Sequence, residues 1–368
     1  MRVPVISAQI LRMKTWQKLK EHPQLWNRYF VREKVLTAIR RFFQDRKFHE
    51  VETPILIARP PAESYLEVFE TTLLDRARKP SKAYLSTSPE VPLKKLLVAG
   101  IGNCFALTKS FRNTETQSDL HNPEFTILEW YRVDADYKDI MEDCEELLLF
   151  INTYLERMGN NPYNLRPTEL MYQHKHVDLS PPWERLSVAG SFAKWAHIDF
   201  EEFFDFKNAK NIATKKGYRV EKQTTWEELY NQILLNEIEP HLGRGRPTIL
   251  YDFPSAMGAL AKKKKDDPRF AERFEFYIEG LELGDCYSEL TDAKEQKERF
   301  DNELAEIKRL GKTSYEYDRD FIGALKAGLP TCSGIAVGVD RLIMLFANAK
   351  KIQDILFFPS EELFTKTS

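Results

Sequence analysis

The chain has 368 residues, 42% of them hydrophobic, so it is long enough for one large domain or two smaller ones. Its 54 basic and 56 acidic residues leave a formal charge of −2, which argues against an obligate nucleic-acid binder. The four cysteines lack Cys-x-x-Cys spacing, which argues against a zinc site or a disulfide framework and predicts a reducing cytoplasm.

The first elements in chain order are an apolar run and a long helix. Residues 3–11 are interrupted by Ser7 and Gln9 and lack a cleavage site, so we predict neither a targeting signal nor membrane contact. Helical periodicity follows over residues 25–46 and ends before a strand at residues 48–54. Two further strands and a short helix are predicted at residues 68–74, 83–86 and 92–99.

A hairpin follows, with strands over residues 105–112 and 125–131 separated by a polar loop. Period two places Phe125, Glu129 and Tyr131 on one face. An aromatic ring beside a carboxylate and a phenol suits a flat base and a buried ammonium, and Arg112 near the loop suits a phosphate or carboxylate. The alternative is an ordinary hairpin with a solvated glutamate, which we disfavour because the polar motif is long for a chance match.

The second half begins with an amphipathic helix over residues 137–158, predicted to cover the sheet. Residues 159–245 are less regular, with helices near 187–196 and 225–236, and we interpret them as an insertion within a single domain spanning residues 1–368. We predict a charged helix at residues 293–310 and interpret its charged side chains as a solvated face. A strand that contains several glycines and runs into a final helix is predicted at residues 332–348.

Two glutamates lie on the strands of another predicted hairpin, whose turn is Glu279-Gly280. A two-residue loop would pair Glu275 with Gly284 and place Glu275 and Glu282 on one face, with backbones roughly 7–8 Å apart. Converging carboxylates of this kind suit Mg²⁺ bound to nucleotide phosphates. A charged outer face of the sheet is an equally good explanation from the residues alone.

Three segments together resemble the motifs of class II aminoacyl-tRNA synthetases. Residues 41–54 resemble motif 1, residues 110–131 motif 2 and residues 334–342 motif 3. Motif 2 has the form found in lysyl-tRNA synthetases and in their short paralogues, the elongation factor P (R)-β-lysine ligases. The resemblance extends over about residues 27–359 and is weak across 155–245. It implies an α+β fold, an antiparallel sheet flanked by helices, with a homodimer interface at motif 1.

The resemblance also implies residue roles. The catalytic residues are Arg112 and Arg341, and the metal carboxylates are Glu275 and Glu282. The residues expected to bind the amino acid are Ser88, Pro89, Glu90, Glu129, Tyr131, Glu289 and Ala336. The residues expected to bind ATP are Arg112, Asn113, Thr114, Glu115, His121, Asn122, Phe125, Glu282, Leu283, Gly338 and Arg341. Ser88 is in addition predicted to be the N-cap of the helix that follows it.

The chain departs from the family pattern in a few positions. Asp285 stands where the family usually has Asn, adding a negative charge near the substrate. Thr114 replaces a Glu, so Glu115 is expected to take over its contact with adenine. Ala336 matches the elongation factor P ligases, since lysyl-tRNA synthetases usually have Gly there. Residues 262–265, four lysines, instead look like the synthetases' loop, although such a run is more often solvated.

The predicted function follows from these roles. ATP, with Mg²⁺, would activate lysine or β-lysine as an aminoacyl-adenylate, and the aminoacyl group would pass to a lysine of elongation factor P. Only about 25 residues precede motif 1, so we expect no anticodon-binding domain and consider tRNA an unlikely partner. The alternatives are a truncated lysyl-tRNA synthetase and a non-catalytic amino-acid-binding paralogue. The presence of Arg112, Arg341, Glu275 and Glu282 disfavours a non-catalytic paralogue.

Overall fold

The computed structural model describes residues 13–116, 118–159, 165–258 and 260–364. The apolar run at residues 3–11 lies outside these ranges. No helix within them is long and apolar enough to cross a membrane. The predicted α+β class is confirmed, because a large and mostly antiparallel sheet is flanked by helices.

The strands of the described ranges, numbered in chain order, are β1 (His49–Glu50), β2 (Leu56–Ile57), β3 (Glu70–Leu74), β4 (Pro80–Leu85), β5 (Cys104–Phe111), β6 (Glu124–Val133), β7 (Glu169–Tyr172), β8 (Lys175–Asp178), β9 (Glu184–Ser187), β10 (Thr248–Pro254), β11 (Phe270–Ile278), β12 (Leu281–Ser288) and β13 (Cys332–Gly338). The main sheet has the order β1-β5-β6-β13-β12-β11-β10-β9. Only its two edge strands, β1 and β9, pair in parallel. Small sheets are formed by β2-β4-β3 and by β7-β8.

The α-helices are α1 (Thr15–Glu21), α2 (Trp26–Asp45), α3 (Glu90–Val98), α4 (Tyr137–Arg157), α5 (Val188–Ser191), α6 (Phe200–Phe203), α7 (Phe206–Lys215), α8 (Trp226–Ile233), α9 (Ala293–Arg309), α10 (Arg319–Gly328), α11 (Val339–Phe346) and α12 (Ser360–Leu363). The long helices agree closely with the predicted ranges. The strand predicted at residues 48–54 is too long, because pairing ends soon after Glu50 and Pro54 has no N–H to donate.

One face of the main sheet is covered by α2, α4 and α11. Helix α4 begins at a capping box, in which the Asp136 carboxylate accepts the N–H groups of Lys138 and Asp139. Its apolar stripe packs with that of α2 around fully buried aromatic residues, including Phe43, whose ring stacks on Phe105 at 4.8 Å between centroids. This apolar layer holds the sheet rigid, so polar side chains can converge on the opposite face.

Residues 165–245, the greater part of the segment predicted to be less regular, are more ordered than their pattern predicts. Strand β9 is hydrogen-bonded to β10, so this part of the segment belongs to the main sheet. The helices α5 to α8 enclose a separate apolar cluster that includes Phe192, Phe203 and Tyr230. The helical stretch from α5 to α8 packs against one end of the main sheet, because the same cluster includes Leu250 and Phe253 of β10 and Tyr277 of β11.

Candidate active site

Two rows of side chains cross the open face of the main sheet. The first row runs over β6, β13, β12 and β11 and consists of Glu129, Ala336, Asp285 and Glu275, each directly opposite the next. The second row, two residues along, consists of Tyr131, Gly334, Tyr287 and Arg273. Opposed residues on one face have Cβ atoms roughly 4.5–5.5 Å apart. The register therefore gathers residues from three distant parts of the sequence into one site.

The motif 2 hairpin forms as predicted. Strand β5 pairs over its whole length with residues 124–131 of β6. The Tyr131 hydroxyl donates to Glu129 Oε1 at 2.7 Å, so these two side chains share a face. The guanidinium carbon of Arg112 lies 5.3 Å from the centroid of the Phe125 ring. An aromatic ring, a cation and a buried carboxylate thus lie along one hairpin, which is the arrangement its sequence predicts.

Three buried carboxylates cluster at one end of the rows, where the amino-acid pocket is predicted. Glu90 on α3, Glu129 on β6 and Glu289 after β12 are all buried, and Tyr131 lies beside them. All three carboxylates were predicted to bind the amino acid. Burial and the neighbouring charge of Glu90 raise the pKa of Glu129, and burial raises the pKa of Glu289 to about 8. The shifts mark a surplus of buried negative charge, which a substrate ammonium would relieve.

A lysine in this pocket was missed from the sequence. Lys94, one helical turn after Glu90, is 1% exposed, and its ammonium contacts Glu90 Oε1 and lies 2.5 Å from Glu289 Oε2. The signal available was its spacing of four residues from Glu90, which places both side chains on one face of α3. The prediction that Ser88 is the N-cap was wrong. Pro89 holds that position, while the Ser88 hydroxyl accepts the Glu90 N–H at 3.3 Å.

Small residues leave room for the pocket's side chains. A Cβ added to Gly334 would lie 2.3 Å from Tyr131 Cε1 and 2.9 Å from Glu289 Oε1. Ala336, half-buried, lies between Glu129 and Asp285 in the first row. The sequence identified Ala336 from the family pattern, whereas the steric role of Gly334 becomes visible only when the strands are paired.

The predicted pairing of Glu275 with Gly284 was wrong. A bulge at Leu283 shifts the register, so Glu275 pairs with Asp285 while Tyr277 still pairs with Glu282. The extra residue also turns the Leu283 side chain into the core, where it is 2% exposed. Only the backbone of Leu283 is then available for the predicted contact with ATP. Glu275 and Glu282 nevertheless remain close enough for the charge of Glu282 to contribute to the raised pKa of Glu275.

A network around Arg273, absent from the predicted set, holds the first row in place. Arg273 donates to both oxygens of Asp285, at 2.9 and 3.0 Å, and to Glu275 Oε1 at 2.6 Å. The second oxygen of Glu275 accepts the Tyr277 hydroxyl at 2.5 Å, and Tyr287 donates to Asp285 at 2.6 Å. The extra charge of Asp285 is therefore paired within the protein, with Arg273, instead of standing free beside the substrate.

The fit of these carboxylates to a magnesium ion rests on their charge. Glu275, Glu282 and Asp285 place three acidic groups beside two cations, Arg273 and Arg341. Burial followed by the charges of Glu282 and Asp285 raises the pKa of Glu275 to about 8, so a bound cation would favour the charged form of this carboxyl group. Within the described ranges no group of three or more His, Cys, Asp or Glu residues is arranged to hold a metal by itself. The donor set fits Mg²⁺ that takes its remaining oxygens from nucleotide phosphates.

The two predicted catalytic arginines lie at opposite sides of the motif 2 loop. Arg341, in the first turn of α11, donates to Glu282 O at 2.8 Å and lies 2.7 Å from His121 Nε2. Burial and the Arg341 charge lower the pKa of His121, which favours its neutral form. The buried Arg112 Nε has no hydrogen-bond partner among the described residues. A buried donor without a partner is costly, so Arg112 is available for a ligand.

The remaining predicted ATP contacts lie around the same loop. Thr114 is at the exposed tip with a φ of 66°, and Glu115 Oε1 is 4.0 Å from Arg112 Nη1. The Asn113 side chain accepts the N–H of Thr114 at 2.9 Å. Asn122 has a structural role, because its amide donates to Glu124 O at 2.6 Å. Gly338 is the N-cap of α11, and a Cβ added there would make ordinary contacts with Arg341 Cδ at 3.9 Å and Leu283 O at 4.0 Å.

The antiparallel sheet, the two rows of side chains and the two arginines agree with the predicted class II synthetase catalytic core, and comparison with known proteins gives the same class. The family model "tRNA synthetases class II (D, K and N)" matches residues 8–362. The chain therefore belongs to the class II aminoacyl-tRNA synthetase family of the aspartyl, lysyl and asparaginyl type, and it is an enzyme of the ligase class.

The chain is similar to two groups of relatives. It is 37% identical to an elongation factor P (R)-β-lysine ligase of Avibacterium paragallinarum over 334 residues, which cover 90% of this chain and 94% of that protein. It is also 37% identical to a lysine–tRNA ligase of Pasteurella multocida, over 90% of this chain and 64% of that protein. A lysine–tRNA ligase of Moorella thermoacetica is 33% identical, over 92% of this chain and 66% of that protein.

Proposed function

We propose that this protein uses ATP to activate lysine or β-lysine and transfers the aminoacyl group to a lysine side chain of elongation factor P. The observation that carries this proposal is the cluster of three buried carboxylates, Glu90, Glu129 and Glu289, beside the sheet that carries residues proposed to bind ATP. A pocket with this surplus of negative charge suits an amino acid that carries a second ammonium group.

The proposed activation step joins two substrates held by different parts of the sheet. A carboxylate oxygen of the amino acid attacks the α-phosphorus of ATP, and the bond to pyrophosphate breaks, which leaves an aminoacyl-adenylate. Arg112 would stabilise the charge that develops on the α-phosphate, because its Nε is buried and lacks a partner. Arg341 would bind the γ-phosphate from the first turn of α11. Mg²⁺, held at Glu275 and Glu282, would neutralise the departing pyrophosphate.

The second step transfers the aminoacyl group. The uncharged amine of an acceptor lysine attacks the adenylate carbonyl, an amide bond forms, and AMP and a proton leave. No side chain in the described ranges needs to form a covalent intermediate. Positioning of the two substrates would supply most of the catalysis.

Two observations favour elongation factor P as the acceptor. The relatives named as elongation factor P ligases are 36–37% identical to this chain, compared with 33–37% for the lysine–tRNA ligases. Ala336 also agrees with the ligase pattern. By the same resemblance, we propose a homodimer formed through motif 1.

The second candidate is a lysyl-tRNA synthetase activity, which is favoured by the equal identity to the Pasteurella multocida lysine–tRNA ligase. The lysine-rich loop at residues 262–265 gives this candidate less support in three dimensions. Lys262 lies 3.3 Å from Glu272, Lys263 lies 3.1 Å from Glu295, and Lys264 is paired with Asp252. Most of the loop's charge is thus paired within the protein.

The acceptor can be tested directly. Purified protein, ATP, Mg²⁺ and either L-lysine or (R)-β-lysine are incubated with elongation factor P or with lysine tRNA. We expect intact-mass spectrometry to detect one added lysyl group on elongation factor P and acid-precipitation assays to detect no charged tRNA. The Arg112→Ala variant, which lacks the phosphate contact, serves as the inactive control. Charged tRNA together with unmodified elongation factor P would contradict the proposal and favour the second candidate.

A further inference from the structure

Glu63 is an acidic residue near the site that the proposed activation step does not use. It is half-buried and lies in the segment between β2 and β3. Its Oε1 accepts the hydroxyl of Tyr65 at 2.9 Å, and its Oε2 accepts the hydroxyl of Thr87 at 3.4 Å. Both donors are neutral, and a carboxylate has about four positions at which it can accept a hydrogen bond. Glu63 can therefore still accept a proton.

Backbone hydrogen bonds place Glu63 beside Arg112. The residue before Arg112 donates its N–H to Ser86 O at 2.9 Å, and the residue after it donates its N–H to Glu67 O at 2.8 Å. These two bonds join the motif 2 hairpin to the segments that carry Glu63 and its hydroxyl partners. The charge of Glu63 accordingly contributes to the raised pKa of Arg112. Because Arg112 is proposed to bind the α-phosphate, Glu63 lies next to the carbonyl group of the adenylate.

Further contacts hold the Glu63 segment in place. The backbone N–H of Glu63 donates to the Tyr315 hydroxyl at 3.5 Å. The next residue, Ser64, donates its N–H to Glu303 Oε2 on α9 at 2.6 Å, and its carbonyl accepts Lys312 Nζ at 2.5 Å. The segment is thus tied to α9 and to the loop that follows this helix, which fixes the position of the Glu63 backbone.

The groups that face Glu63 set its protonation. Burial, followed by the charge of Glu90 on α3, raises the pKa of Glu63 to about 7. The charge of Arg112 and the hydrogen bond from Tyr65 act in the opposite direction, and Glu303 adds a smaller raising effect. Glu63 is therefore charged above about pH 7 and protonated below it. A base is most effective when its pKa lies near the operating pH.

We propose that Glu63 is the general base of the transfer step and that Tyr65 is a positioning residue that holds its carboxylate. This inference rests on the proposed function and adds a catalytic residue to it. The uncharged amine of the acceptor lysine attacks the carbonyl carbon of the adenylate, and Glu63 takes the proton that the nitrogen loses as the N–C bond forms. The bond between that carbon and the phosphate oxygen breaks, AMP leaves, and Glu63 releases the proton to water.

Access from solution distinguishes Glu63 from the other carboxylates of the site. Glu129 and Glu289 are 3% and 2% exposed and lie where the amino-acid pocket is predicted. Glu275 is also buried and is proposed to bind Mg²⁺. Glu63 is half-buried, and its neighbour Tyr65 is 62% exposed. Of these four carboxylates, Glu63 is the one that an acceptor lysine on another protein can reach.

The test measures the two steps separately on the full-length protein. ATP–pyrophosphate exchange reports activation, and single-turnover addition of the lysyl group to elongation factor P, followed by intact-mass spectrometry, reports transfer from the preformed adenylate. A general base contributes about 10²–10⁴-fold, so for Glu63→Gln we expect transfer to slow by about a hundredfold or more while exchange stays within about threefold of the wild type.

Glu67→Gln is the matched control. Glu67 belongs to the same segment, and its Oε1 accepts the N–H of Thr313 at 3.2 Å, a bond that the amide oxygen of glutamine can also accept. We therefore expect both rates of this variant to stay near those of the wild type.

The pH dependence of transfer gives a readout that a purely structural role would not alter. With elongation factor P below saturation, the logarithm of the rate should rise with a slope of about two below pH 7, where the acceptor ammonium and Glu63 both lose protons, and of about one above it. Glu63→Gln should show a slope of about one throughout. Tyr65→Phe removes a hydrogen bond that favours the charged carboxylate, so it should move the change of slope to higher pH.

Glu63→Asp, which keeps a carboxylate, serves if Glu63→Gln folds poorly, and it should transfer slowly with the two slopes retained. The inference would be overturned by equal losses of exchange and transfer in Glu63→Gln, by wild-type transfer in that variant, or by a single slope in Glu63→Asp. A wild type that exchanges pyrophosphate but leaves elongation factor P unmodified would refute the proposed function and this inference with it, so the two failures are distinguishable.

Discussion

Replacing Gly334 with alanine should damage the amino-acid pocket while leaving the rest of the sheet in place. The added Cβ would lie 2.3 Å from Tyr131 Cε1 and 2.5 Å from Tyr131 Cδ1, and Tyr131 is 2% exposed and cannot swing into solvent. Overpacking of this kind costs about 1–3 kcal/mol of stability. A displaced ring also loses its 2.7 Å hydrogen bond to the Glu129 carboxylate, a contact of a kind that contributes about 1.5–3 kcal/mol.

The effect on function should exceed the effect on folding, because both displaced groups belong to the proposed ammonium site. Loss of about 1.4 kcal/mol of binding corresponds to a tenfold change, so we expect the KM for lysine to rise about tenfold or more in pyrophosphate exchange. The KM for ATP should change little, since Arg112 and Arg341 lie elsewhere on the site. Urea denaturation of the same samples measures the cost in stability.

Gly323→Ala provides the matched control. Gly323 is an exposed residue of α10, and a Cβ added there meets nothing within 4 Å. A glycine-to-alanine change in a helix should stabilise the protein by about 0.5–1 kcal/mol without altering either KM. The reasoning would be refuted if Gly334→Ala had the stability and the lysine KM of the wild type, or if both glycine variants behaved alike.

The remaining predictions concern the metal carboxylates and the selectivity of the pocket. Glu275→Gln and Glu282→Gln should each lower Mg²⁺-dependent pyrophosphate exchange by about a hundredfold or more, with the fold intact by circular dichroism; unaltered exchange would mean that the pair is surface charge. Ala336→Gly should move the β-lysine to α-lysine ratio of kcat/KM toward α-lysine by about tenfold, since a misfit methyl group is worth about 1–3 kcal/mol. Asp285→Asn, measured alongside, should destabilise the protein by about 1–3 kcal/mol, because it removes the charge that binds Arg273 through two hydrogen bonds. If neither Ala336→Gly nor Asp285→Asn alters the β/α ratio, the selectivity lies outside these positions.

Local pattern in the sequence was enough to determine the elements and part of the site. Period two along residues 125–131 placed Glu129 and Tyr131 on one face, and their hydrogen bond confirms it. The helices from 26 to 45 and from 137 to 157 follow from their apolar periodicity and, for the second, from the Asp136 cap. These features depend on neighbours a few residues away in the chain, which is why the sequence alone predicts them.

Only the tertiary structure decided how distant segments meet. The row of Glu129, Ala336, Asp285 and Glu275 depends on the pairing of four strands, and the bulge at Leu283 changed the partner of Glu275 without leaving a signal in the residue pattern. The same holds for Lys94, whose spacing from Glu90 is visible in the sequence. Its contact with Glu289, almost two hundred residues away, arises only when α3 packs beside the end of β12. Periodicity reports which face a side chain occupies, whereas the partner on that face is set by strand register and helix packing, which depend on the whole chain.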